Sequence, residues 1–144
     1  MEMKGWRLAE NEWREWLEAL ARAGKRVIAP VREDGIVLFR PVASAAEIAL
    51  AEYQNSRWSA KEFLFPHTEA LFSYRFQGDE VSLEEVRPDQ TEQVLFGLRP
   101  CDAAGMRQLD HIFLGEEEDP LYAQRRKLTT VVSLACDKSQ PECF

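Results

Sequence analysis

A short apolar run that stops on a rigid, polar tetrapeptide constrains this chain more than any other feature. Val94-Leu95-Phe96-Gly97-Leu98 shows no polar alternation, and Arg99-Pro100-Cys101-Asp102 follows at once. Such a run reads as a strand covered on both faces. The pattern recurs downstream, where Thr129-Thr130-Val131-Val132-Ser133-Leu134-Ala135 ends on Cys136. Helical sequence separates the two runs, so a β-α-β crossover makes the strands parallel. Cys101 and Cys136 then emerge at the same sheet edge, where open α/β sheets usually place ligands. The expected separation is within about 12 Å, from a strand spacing of roughly 4.8 Å and one strand allowed between.

A chain of 144 residues, 45% hydrophobic and 30% charged, suits one globular domain over residues 1–144. Its net charge of −7 argues against nucleic acid as the main partner, because phosphate binding needs a basic face. No apolar run approaches the roughly twenty residues of a membrane helix. The amino terminus has no apolar secretory core, so a cytoplasmic protein is expected. Cys101, Cys136 and Cys143 then read as reduced thiols, metal ligands or small buried hydrophobes, not as a disulfide framework.

Along the chain, Glu10 to Ala23 predicts a helix with Trp13, Trp16, Leu17, Leu20 and Ala21 on one stripe and Gly24 as its stop. The tryptophan stripe reads as core. Lys25 to Pro41 predicts a hairpin about Asp34-Gly35, with Pro30 confining its first arm to an edge or irregular strand. Ser44 to Glu47 has capping-box spacing, and a helix through about Tyr53 is expected. Ser59 to Glu62 repeats that signature, with Pro66 cutting the helix short. Leu71 to Val86 predicts a second hairpin, with Phe72, Tyr74 and Phe76 alternating and Gly78-Asp79 at the turn. Ala103 to Phe113 predicts a helix with Met106, Leu109, Ile112 and Phe113 inward and Asp102 as its N-cap. Glu116 to Asp119 is a solvated loop, and Asp119-Pro120 opens a last short helix. The fold expected is α+β: a mixed sheet with two antiparallel hairpins and a C-terminal parallel β-α-β unit.

No hydrolase triad, zinc-protease or P-loop signature occurs. His67 and His111 have no visible carboxylate partner. Cys101 is the sharpest chemical candidate. Placed just ahead of a helix N-terminus and near Arg99, its thiolate is favoured, and a thiolate ligates soft metals or an iron–sulfur cluster.

Several motifs in register extend this reading. They are Lys61 to Pro66 with His67-Thr68-Glu69, Val94 to Asp102, and Leu109-Asp110 with Phe113-Leu114. Asp119 to Tyr122 with Arg125-Arg126, and Cys136 with Pro141-Glu142-Cys143-Phe144, complete the set. From about Lys61 onward the chain resembles the iron–sulfur electron-transfer subunits of the sulfhydrogenase beta and anaerobic sulfite reductase A type. The resemblance implies the N-terminal domain of a longer subunit. In that family a following segment carries two C-x-x-C-x-x-C-x-x-x-C-P motifs. These bind [4Fe–4S] clusters that relay electrons between a flavin-containing partner and a hydrogenase or reductase subunit. Neither motif is in this sequence.

The expected role is therefore docking and electron-transfer support, without catalytic turnover and without a cluster stably bound by this fragment. Cys101, Cys136 and Cys143 are the implied metal ligands, and Arg99, Cys101 and Asp102 the implied cofactor-binding group. Two alternatives stand beside it. One is an interaction or regulatory domain with structural cysteines. The other is a flavin or nucleotide pocket with Arg99 and Arg126 facing phosphate.

Overall fold

The computed structural model describes residues 9, 11–51, 53, 55–86 and 89–136. Cys143 and the other residues beyond 136 lie outside the described residues. The expected α+β class is what the structure has. Its main sheet has the order β2-β1-β5-β6, built from Ile36–Val42 (β2), Arg26–Glu33 (β1), Gln93–Leu98 (β5) and Thr129–Ser133 (β6). β1 runs antiparallel to β2 and parallel to β5, and β5 runs parallel to β6. The second hairpin, Phe72–Gln77 (β3) and Glu80–Glu85 (β4), forms a two-stranded sheet of its own.

The N-terminal helix, Glu12–Arg22 (α1), lies on one face of the main sheet. Its Leu17 is buried with Val27, Ala29, Val94 and Phe96. Trp13 stacks on Phe96 with ring centroids 5.5 Å apart, and Trp16 meets the same ring at a tilt. The tryptophan stripe is core packing. On the other face Ile28, Phe39, Leu95 and Leu98 meet Leu64, Met106 of Pro100–Phe113 (α2) and Tyr122 of Pro120–Lys127 (α3). Helices on both faces explain why every residue of β5 is buried.

The first hairpin turns at Asp34-Gly35, both at positive φ (48° and 81°), as a two-residue turn requires. Pro30 corrects the edge-strand expectation, because β1 is an interior strand. The Pro30 carbonyl accepts from Ala49 N at 2.8 Å, so that side of the residue faces away from β2. Pairing of β1 with β5 ends at Ile28. The missing proline donor therefore falls beyond the parallel ladder and breaks no sheet bond. There β5 bulges at Gly97, whose φ of +83° and close approach to Pro30 and Leu50 leave no easy room for a side chain.

Three further expectations are corrected. The capping box at Ser44 and Glu47 forms, but only one 3₁₀ turn, Ala45–Glu47, follows it. Ile48 is extended, and the Ala49 N–H is taken by the sheet, so no helix propagates toward Tyr53. Ile112 is exposed, while Met106 is buried and Leu109 and Phe113 pack partly against the core. β6 is an edge strand with only Thr129 buried, unlike β5. At Ser59 the expected cap is present, leading a short 3₁₀ turn, Ala60–Phe63. Among the described residues no helix is long and apolar enough to cross a membrane.

Candidate functional site

The candidate site forms where β5 and β6 end side by side. These strands are direct neighbours, and the bond from Leu134 N to the Leu98 carbonyl at 2.7 Å carries their pairing past the last ladder residue. Both chains then leave the sheet at the same end. One delivers Arg99, Cys101 and Asp102, the other Cys136. Both thiols are free and exposed.

Helix α2 begins one turn earlier than the sequence suggests. Arg99 is its N-cap residue, in extended conformation with ψ 152°, and Pro100 opens the helix. A residue before proline is driven extended, and proline suits the first helical position because its missing N–H is not needed there. Cys101 therefore lies within the first turn, not ahead of it. Asp102 also lies within that turn and makes no cap hydrogen bond.

Arg99 ties the site together. Its Nη1 lies 3.8 Å from Cys136 Sγ, and its guanidinium carbon stands 4.6 Å over the Tyr53 ring. The arrangement holds a cation beside one thiol and fixes it by a cation–π contact. Burial raises the carboxyl of Asp102, and the Lys61 ammonium works against that shift. Lys61 lies against the N-terminal part of α2, with its Nζ 2.7 Å from where a Cβ on Gly105 would stand. Tyr53 is raised to about 12, first by burial and then by the carboxylate of Asp102, with Arg99 opposing. Its buried hydroxyl makes no hydrogen bond of ordinary geometry among the described residues, with Ser56 close enough to oppose the shift. The nearby Ser56 hydroxyl donates instead to the Trp58 carbonyl at 2.6 Å.

The structure thus brings together Arg99, Cys101, Asp102 and Cys136. It adds Tyr53 and Lys61, neither of which sequence reasoning assigned to a site. A signal for Tyr53 is hard to find, because an aromatic residue in an irregular segment has no periodicity. Arg126 belongs elsewhere, contrary to the nucleotide-pocket alternative. Its Nε donates to Asp110 at 2.9 and 3.1 Å and its Nη1 to the Thr129 carbonyl at 3.3 Å, at the opposite end of β6. That alternative had Arg99 and Arg126 both facing phosphate in one pocket, and the fold places them at opposite ends of β6. A cavity of about 200 Å³ lies at the same far end, lined by Arg26, Asp89, Gln93 and Arg125 among others. Arg26 pairs with Asp89 and Arg125 with Glu69, which reads as structural charge balance. His67 and His111 are exposed.

Among the described residues no group of three or more histidine, cysteine, aspartate or glutamate side chains is arranged to hold a metal. A cubane normally takes four thiolates. The described residues bring two to this edge, so by themselves they do not fit a complete [4Fe–4S] ligand set.

Fold and site define a mixed α+β domain that presents two thiols and an arginine at the ends of parallel strands. The chain is similar to the sulfhydrogenase 2 subunit beta of Pyrococcus furiosus. The two are 34% identical over 122 residues, which is 85% of this chain and 34% of the relative. The chain therefore spans about a third of the length of that relative. No protein-family model matches the chain, and no solved structure matches it.

Proposed function

We propose that this chain is a docking and electron-transfer-associated domain of an iron–sulfur oxidoreductase subunit of the hydrogenase or sulfite-reductase type. The observation that carries the reading is the delivery of Cys101 and Cys136 to one edge by adjacent parallel strands. Similarity to a sulfhydrogenase beta subunit over most of the chain supports it. In this reading Arg99, Cys101 and Asp102 border the redox group, and Cys101, Cys136 and Cys143 are its thiol ligands or neighbours. The two described thiols fall short of a cubane by themselves, so in this reading they border the redox group without completing its ligand set. The [4Fe–4S] clusters belong to the whole subunit and carry its electrons, and this domain supplies no turnover itself. Its partners are hydrogenase or reductase subunits and a flavin-containing subunit, in the cytoplasm.

The test is anaerobic expression of the gene over its full reading frame. The expected product is brown, contains iron and sulfide, and gives a cluster EPR signal on reduction. Cys101→Ser with Cys136→Ser is expected to lower the iron content or alter that signal. A colourless, iron-free product removes the reading.

A further inference from the structure

The β3–β4 hairpin divides its residues cleanly between two faces. Register pairs Phe72 with Glu85, Tyr74 with Leu83 and Phe76 with Val81, so these six side chains share one face. Ser73, Arg75, Gln77, Glu80, Ser82 and Glu84 occupy the other. The polar face is ordinary solvated surface. The apolar face is not covered: Phe72 is 59% exposed, Tyr74 69%, Phe76 66%, Val81 60% and Leu83 66%. Neither strand belongs to the main sheet, and every residue of both is exposed. A lone two-stranded hairpin is marginal in water without something on its apolar face.

We propose that this face is a homodimerisation surface, packed face to face against the same hairpin of a second copy of the chain. Area is the first argument. A Phe or Tyr side chain carries about 150–250 Å², so three such rings at two-thirds exposure and two aliphatic neighbours offer on the order of 600 Å² per copy. Two copies bury roughly 1,200 Å², the size at which specific interfaces begin, and the patch stands at the upper end of what a monomer usually leaves bare.

Self-complementarity is the second argument. One strand presents a row of large rings, and the other presents the smaller Val81 and Leu83. A two-fold axis parallel to the strands sets the aromatic row of each copy over the aliphatic row of its mate. Large side chains then meet small ones, as interdigitating layers require. The same operation lays Glu85 of each copy over Phe72 of the other, keeping the two carboxylates apart. An axis perpendicular to the strands stacks ring upon ring and leaves the aliphatic rows unfilled.

Sedimentation of the 144-residue chain, at concentrations from below to well above micromolar, tests the proposal. The expected mass at the upper end is twice the 16.6 kDa of one chain. Tyr74→Glu and Leu83→Glu are each expected to return it to the single-chain mass, with unchanged far-UV circular dichroism. Ser82→Glu, on the polar face, is expected to leave the dimer intact. As a second readout, Tyr74→Trp is expected to shift its emission to the blue as the dimer forms. A chain monomeric throughout overturns the proposal, as does a dimer that survives both apolar-face charges. A hairpin protected from hydrogen exchange only in the full reading frame also overturns it, and assigns the face to another segment.

Discussion

At the residue scale, Gly97 shows how one position shapes the site. Its left-handed φ of +83° lets β5 bulge just before Leu98, and a Cβ there would stand 3.1 Å from both Pro30 and Leu50. Gly97→Ala is expected to cost about 1–3 kcal/mol, from backbone strain and crowding together, and chemical denaturation measures it. Asp102 has the opposite character, because its native environment disfavours its charge. Burial raises its carboxyl above the ordinary 3.8, so the folded state holds that proton to higher pH than the unfolded chain. Its contribution to stability therefore falls as pH rises from the ordinary value through the raised one. Asp102→Asn is expected to raise the melting temperature at neutral pH and to change it little in acid below the ordinary carboxylate range. A variant less stable at neutrality refutes that sign. The arrival of Arg99, Cys101 and Cys136 at neighbouring strand ends was legible because strand endings are local. Tyr53 and Lys61 were not, because only packing between distant segments brings them there.

At the scale of elements, the best-read pieces are those whose ends carry their own chemistry. Asp119 caps α3 by accepting from Leu121 N at 2.9 Å and Tyr122 N at 2.8 Å. Asp119→Ala is expected to cost about 0.5–2 kcal/mol, measured by denaturant unfolding. α3 is then locked to α2 by Asp110, which accepts from Tyr122 Oη at 2.7 Å and from Arg126 Nε. Removing that carboxylate strands a buried hydroxyl and an arginine. Asp110→Ala is expected to cost about 2–4 kcal/mol, more than the cap, in the same measurement. The segment after Ser44 shows where local signals stop deciding. Its capping box is intact, yet Pro30 in the sheet captures the Ala49 N–H and the helix ends after one turn. Local hydrogen bonds start an element, and competition with the sheet sets its length.

At the scale of the whole molecule, the hairpin and the core are separable. None of the core side chains belongs to β3 or β4. Replacing Phe72–Glu85 with a short Gly-Ser turn is expected to change the stability of the rest by less than about 1 kcal/mol, since exposed positions contribute little. Thermal unfolding of the shortened chain checks this, and a large loss of stability refutes it. By itself the sequence determined both hairpins, the crossover between two parallel strands and the arrival of two cysteines at one sheet edge. Each follows from turn chemistry, hydrophobic period and the helical crossover that parallel strands require, which act over short stretches. Tertiary structure alone decided that β1 sits inside the sheet, that β6 is its edge and that the second hairpin stands apart. It also decided that Arg99 spans Tyr53 and Cys136. Those outcomes depend on which distant surfaces exclude water from one another, and no local pattern encodes that choice.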